Sequence, residues 1–306
     1  MNCIKYLFII FIGTLCLCTL YGCGTIKFNY DQIQPKQREV REIDNRQFKK
    51  KRLALVLGGG GAKGFAHIGV LEELHANGIV PDVIIGCSAG AIVGALYAAN
   101  PDIEALKAQV LNGKSNDIVA LSGDHLPYSI YSAKPLARYL HKNLAVEQFE
   151  DLQIPLIITA TDLQYGNVAV FNSGDLIPAV IASASYPGAI HPTKIDDFYY
   201  IDGGISDPLP TSIAKELGFE TVIAVNIAER LPTTSPNHAL GVLQRSTEIG
   251  YLSLIKNSRR YADLVIDLDF KGVDLFDDKQ NKYLYERGIA CTKEKIPEII
   301  ELLSKK

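Results

Sequence analysis

The β-branched run Val83-Ile84-Ile85 passes through Gly86-Cys87-Ser88-Ala89-Gly90 into a run of small residues from Ala91 to Ala99. This pattern predicts a strand, a sharp turn and a helix, with a serine at the apex. G-x-S-x-G on a strand-to-helix turn is the nucleophile elbow, a strained connection that tolerates no bulk on either side of its serine. The helix that follows aims free N–H groups and its positive dipole end at the seryl oxygen, which favours developing negative charge. The small residues Ala89, Gly90, Ala91, Gly94 and Ala95 let that helix pack closely on a sheet.

Other apolar stretches extend the pattern. Strands are predicted at 53–57, 155–160, 168–171, 198–201, 221–225 and 264–268. Helices are predicted at 64–77, 88–99, 101–111, 175–183, 208–217 and 293–303. Several strands are continuously apolar, and they alternate with helices. That combination predicts an α/β domain around a mainly parallel sheet.

Two further motifs stand at predicted strand ends. Gly58-Gly59-Gly60-Gly61-Ala62-Lys63-Gly64 follows the first strand and opens a helix. Such a loop presents backbone N–H groups unobstructed by side chains, and it suits a phosphate cradle, an oxyanion hole or a plain tight turn. It is not a Walker A loop, because Phe65 follows Gly64 where Ser or Thr is required. Asp202-Gly203-Gly204 ends the strand at 198–201, where an ordinary Asp-Gly turn is the competing reading. Strand ends of an open parallel sheet share one edge, so a serine, a donor-rich loop and a carboxylate are expected to converge there. They suffice for acyl transfer if Asp202 serves as base. A Ser-acid-His triad requires a histidine after the acid, and His238 alone follows Asp202, in a Pro- and Thr-rich loop. His67, His75, His125, His141 and His191 precede it and read as packing or surface residues. The residues therefore fit a Ser–Asp dyad better than a triad.

The N-terminus has its own signature. Lys5 precedes a nearly continuous apolar run from Tyr6 to Leu20, the length of a signal-peptide core and short for a membrane span. The run ends in Leu20-Tyr21-Gly22-Cys23, which resembles a bacterial lipobox, although Tyr21 is bulkier than usual at its position. That resemblance implies a signal peptide over 1–22 and acylation of Cys23; an uncleaved signal anchor is the alternative. Residues 23–52 are charged, ending in Lys49-Lys50-Lys51-Arg52, and read as a tether whose basic end is solvated or touches anionic lipid. Residues 53–306 form the remaining domain. Cys87 and Cys291 are its only cysteines, so there is no disulfide framework and no metal-binding cysteine pattern. A net charge of -3 gives no case for nucleic-acid binding.

Taken together, the chain resembles the patatin-like phospholipase family. The similarity rests on Gly59-Gly60-Gly61-Ala62-Lys63-Gly64, Gly86-Cys87-Ser88-Ala89-Gly90 and Asp202-Gly203-Gly204 in that order. Connecting stretches match too: Ala66-His67-Ile68-Gly69-Val70-Leu71, Ala182-Ser183-Ala184-Ser185-Tyr186-Pro187-Gly188 and Asp207-Pro208-Leu209-Pro210. Departures are Cys87, where bacterial members commonly have Thr, and Gly58, where Ser is frequent. The resemblance implies a three-layer α/β/α fold with Ser88 as nucleophile and Asp202 as general base. It implies an oxyanion hole from Gly59, Gly60 and Gly61, with Lys63 positioning the loop or attracting a substrate phosphate. No metal or cofactor is implied. The expected activity is hydrolysis of phospholipid or lysophospholipid acyl esters at a bacterial envelope membrane, on its outer-membrane or periplasmic face, reached through acylated Cys23. Transfer of the acyl group to an alcohol, and a non-catalytic lipoprotein that uses the fold for binding, are the competing expectations. Residues 113–135 and 228–241 are candidate covers of the site, the first as a lipid-facing lid.

Overall fold

The computed structural model describes residues 43–111, 120–121, 131–228, 230–231, 233–270 and 280–305. The expected signal peptide, Cys23, most of the tether and most of the 113–135 lid lie outside these residues.

Strands β1 (Leu53–Leu57), β2 (Val83–Cys87), β5 (Leu156–Asp162), β9 (Thr221–Asn226) and β10 (Leu264–Asp267) form the parallel part of the main sheet, in the order β10-β9-β1-β2-β5. The short strands β3 (Ala120–Leu121) and β4 (Tyr131–Ser132) pair separately. Every residue of β1, β2 and β5 is buried, as expected for strands covered on both faces. Alternate residues supply two different cores. Leu53, Leu55, Leu57 and Ile84 pack in one, while Ala54, Val56, Val83 and Ile85 pack in the other.

The first core is covered by α1 (Phe65–Ala76), α2 (Ala89–Ala99), α3 (Ile103–Val110), α4 (Lys134–Asn143), α5 (Leu176–Ser183) and the long C-terminal α8 (Asn281–Ser304). The second is covered by α6 (Thr211–Glu216) and α7 (Ala239–Ser258). The result is the expected α/β/α sandwich. Helix α1 is buried nearly all round because α8 covers the side turned away from the sheet. The two helices meet at glycines: a Cβ on Gly288 would lie 2.1 Å from the Ala66 carbonyl oxygen, and one on Gly69 2.2 Å from that of Tyr285. None of the helices among the described residues is long and apolar enough to cross a membrane.

One edge of the sheet departs from the parallel expectation. Strands β6 (Val168–Phe171) and β8 (Phe198–Asp202) both pair antiparallel with β5, and β7 (Thr193–Ile195) pairs antiparallel with β8. The last residues of the 23–52 segment, expected as tether, belong to the packed domain. From Ile43 the chain packs on the domain: Asp44 N–H donates to Asn172 Oδ1, and Phe48 sets its ring edge-on against Phe219 at 5.8 Å.

Candidate active site

Ser88 and Asp202 meet because two strands collide end to end. β2 pairs with the first half of β5, its last residue Cys87 opposite Thr159. β8 pairs with the second half in the opposite direction, its last residue Asp202 opposite Ala160. β6 occupies the other edge of β5 continuously from Ile158 to Thr161, so β2 and β8 share one edge and stop at adjacent residues. The chain then turns out of the sheet at both points. Convergence was expected from parallel strands ending on one side; it arises instead from a parallel and an antiparallel strand stopping head to head.

At the first of these turns Ser88 adopts φ 51° and ψ -117°, the mirror image of ordinary extended backbone and a strained conformation for an L residue. The elbow needs glycine on both sides. A Cβ on Gly86 would lie 2.7 Å from the Ala91 backbone, and one on Gly90 2.1 Å from the Leu57 carbonyl oxygen. Helix α2 begins at once, with the N–H groups of Ala91 and Ile92 donating to the Ser88 carbonyl.

Ser88 Oγ donates to Asp202 Oδ2 at 2.6 Å, and Asp202 Oδ1 accepts from the Gly204 N–H at 2.7 Å. Asp202 is buried, 4% exposed. Burial pushes its carboxyl up to about 6, against the two hydrogen bonds that favour the charged form. The group is therefore mostly ionised at neutral pH, yet a stronger base than an ordinary carboxylate. Gly203 permits this approach, since a Cβ there would lie 2.5 Å from the Thr159 carbonyl oxygen.

Two positioning residues have no signal in the motifs themselves. Ser183, at the end of α5, accepts from the Ser88 N–H at 2.8 Å and donates to the Thr159 carbonyl at 2.6 Å. Two residues on, the Ser185 carbonyl accepts from the Asp202 N–H at 2.9 Å, so one short segment holds the backbone of both dyad members. Ser183→Ala removes the partner of the Ser88 N–H and of the buried Thr159 carbonyl, so an expected loss of about 1–3 kcal/mol shows in chemical denaturation. Misplacement of the elbow is expected to lower kcat about 10-fold or more in ester hydrolysis assays.

The second positioning residue is His67 of α1. It is fully buried and its Nε2 lies 2.8 Å from the Gly58 carbonyl, which makes Nε2 the protonated nitrogen. Burial lowers its pKa to about 4, so it supports the glycine loop as a neutral ring. His75 meets Tyr97 Oη, His141 faces Glu147, His191 contacts the Pro192 carbonyl and His238 accepts from the Gly241 N–H. His125 lies outside the described residues.

Loop 58–64 lies beside the dyad, with a donor set smaller than expected. The Gly58 N–H donates to the Val225 carbonyl and the Gly59 N–H to the Pro208 carbonyl, both at 3.1 Å. Gly59 is thus committed to holding the loop, while the Gly60 and Gly61 N–H groups meet no backbone acceptor among the described residues. Gly61 takes φ 60°, a left-handed conformation that glycine adopts readily. Lys63 lies in the turn Gly61–Gly64 and is only 6% exposed. At the close of that turn a Cβ on Gly64 would lie 2.9 Å from the Ala89 Cβ, so loop and elbow helix touch. The arrangement presents a hydroxyl with a base at its oxygen, backbone donors beside it and a helix N-terminus beneath it, the parts that acyl transfer requires.

Known proteins resemble this chain. Residues 55–215, over half of the chain, match the family model described as patatin-like phospholipase. The chain is 34% identical to the mouse patatin-like phospholipase domain-containing protein 6 over 184 residues, which cover 58% of this chain and 14% of that protein. It is 31% identical to lysophospholipase NTE1 of Cryptococcus neoformans over 190 residues, 61% of this chain and 12% of that protein. The match therefore spans only a small part of these curated relatives. Among solved structures, VipD from Legionella pneumophila superposes with a TM-score of 0.50 at 15% identity, covering 84% of this chain and 67% of that one, a likeness of fold.

Proposed function

Because the chain belongs to the patatin-like phospholipase family, we propose that it is a serine hydrolase of lipid acyl esters working through Ser88 and Asp202. The observation that carries this reading is the 2.6 Å hydrogen bond from Ser88 Oγ to a buried carboxylate of raised pKa. Asp202 Oδ2 takes the Ser88 proton as Oγ attacks the ester carbonyl carbon. The carbonyl oxygen becomes an oxyanion held by the N–H groups of Gly60 and Gly61. When the carbon–oxygen bond to the leaving alcohol breaks, Asp202 returns the proton to that alcohol, leaving an acyl-enzyme on Ser88. Asp202 then deprotonates a water, which attacks the acyl-enzyme, releasing the fatty acid and restoring Ser88. Burial of Lys63 favours a role in holding the glycine loop over capture of a phosphate from bulk solvent.

The family, and the lysophospholipase name of one relative, favour a phospholipid or lysophospholipid substrate. The test is product analysis by mass spectrometry, with the full chain incubated on vesicles and micelles of defined phospholipids and lysophospholipids. Free fatty acid release that disappears in Ser88→Ala is expected. No fatty acid from any lipid, and none from a soluble short-chain ester, overturns the reading.

The proposed location follows from the lipobox-like Leu20-Tyr21-Gly22-Cys23, with acylated Cys23 tethering the domain to an envelope membrane. Cys23→Ser is expected to move the protein from the membrane fraction to the soluble fraction and to abolish labelling by a fatty-acid probe. Unchanged fractionation and labelling would remove the anchor.

A further inference from the structure

The glycine loop lacks one of the donors its sequence promises, and a side chain from another layer stands at that place. Tyr251 projects from α7, and its hydroxyl is completely buried with no hydrogen-bond partner among the described residues. A Cβ on Gly59 would lie 2.8 Å from Tyr251 Oη and 3.3 Å from Ser88 Cβ, so the phenol oxygen and the nucleophile flank one point beside the loop. A Cβ on Gly204 would lie 2.6 Å from Tyr251 Cε2 and 3.0 Å from Asp202 Oδ1, so the ring edge also borders the base. Gly59 and Gly204 are thus the two positions whose missing side chains admit this ring. The helix that carries it is capped at its start and tied to the domain at its end. His238 Nδ1 accepts from the Gly241 N–H at its start, and Ser258 Oγ donates to Asp207 Oδ1 at its end.

A buried hydroxyl without a partner is costly unless some state of the protein supplies one. Asp202 is served by Ser88 and Gly204, and the Gly59 N–H is spent on Pro208. An ester carbonyl bound over Ser88, beside Gly59, would supply such an acceptor. We propose that the Tyr251 hydroxyl is an additional donor of the oxyanion site, hydrogen-bonding the ester carbonyl oxygen as that oxygen gains charge on Ser88. The step requires the phenol to turn toward the oxygen arriving beside Gly59. Burial, followed by the neighbouring Cys87 and Asp202, raises the phenol well above its usual pKa, so it remains a donor throughout the working pH range. The hydroxyl is buried from bulk solvent, the condition under which a fixed dipole contributes most to a developing charge.

The inference rests on the Ser88–Asp202 reading and is tested beside it. Tyr251→Phe, Ser88→Ala and the parent full chain are compared on a soluble short-chain nitrophenyl ester and on a fluorophosphonate probe. Tyr251→Phe is expected to lower kcat about 10- to 100-fold with KM within about twofold, and to slow fluorophosphonate labelling by a similar factor. Its Tm should be unchanged or higher, because the deleted hydroxyl bonds none of the described residues. A kcat within about threefold of the parent overturns the proposal, as does a loss of activity that tracks a lowered Tm. If Ser88→Ala is inactive while Tyr251→Phe is fully active, the Tyr251 assignment alone fails. Retained activity in Ser88→Ala would instead bring down the dyad itself.

Discussion

Replacing Ser88 by alanine is expected to lower kcat/KM for ester hydrolysis by about four orders of magnitude or more and to abolish fluorophosphonate labelling, with the fold intact. The size follows from the site. Among the described residues no other hydroxyl bonds Asp202 Oδ2, and the remaining donors have no covalent intermediate to stabilise. The same position offers a stability measurement that an incidental turn would fail. Ser88 sits at φ 51° and ψ -117°, where alanine is as strained as serine but glycine is at ease. Ser88→Ala and Ser88→Gly both remove the hydrogen bond to Asp202, so that loss cancels between them. Glycine is expected to be the more stable variant by about 1–2 kcal/mol, less its extra chain entropy, in chemical denaturation. Alanine and glycine variants of equal stability would mean that the elbow stores no strain.

What was legible in the sequence is what glycine makes legible. Gly86, Gly90 and Gly203 are each pressed against backbone too closely for any Cβ, so the motifs that carry the dyad are written in residues that nothing can replace. The core strands were readable because burial on both faces requires continuous apolar runs. The assembly of the dyad was not, because the antiparallel direction of β8 depends on its pairing with β5 and not on its own residues. Helix α7 was missed for a related reason. Val242, Leu243 and Ile249 are exposed while Ile255 is buried, and Val242 lies nine residues from Tyr251, on the opposite face of the helix. Apolar residues on both faces erase the 3.6-residue period. The first half of α8 packs through Leu284, Gly288 and Thr292, a close glycine crossing and not an apolar stripe, so only its second half carried a helical signature. Ser183 and His67 act by hydrogen-bonding distant backbone, which neither composition nor spacing records.

Asp202→Asn should abolish activity and, at neutral pH, make the protein more stable. The buried carboxyl titrates at about 6 in the folded chain against an ordinary value of 3.8. Above pH 6 the folded state carries a desolvated charge that the unfolded state hydrates freely, a penalty on the order of 3 kcal/mol. The folded form binds the proton more tightly between these two values, so this penalty grows as pH rises from 3.8 to 6 and is constant beyond. Asparagine keeps the geometry, since its oxygen takes the Gly204 N–H and its amide faces Ser88 Oγ, without the charge. Its stability gain over the parent should be full at pH 7 and shrink toward zero as pH falls to about 4. His67 works in the opposite sense over nearly the same window. Its folded pKa of about 4 lies below its usual 6.5, so its contribution is complete above pH 6.5 and is lost as pH falls toward 4, again on the order of 3 kcal/mol. In the parent the two slopes largely offset. In Asp202→Asn the His67 slope stands alone, and stability measured by denaturation should fall steeply on acidification from pH 6.5 to 4. The parent's kcat/KM on a soluble ester should fall about tenfold per pH unit below 6, as the base is protonated. An activity profile flat down to pH 4.5 would show that Asp202 is not the base, and an Asp202→Asn variant less stable than the parent at pH 7 would show that it carries no penalised buried charge.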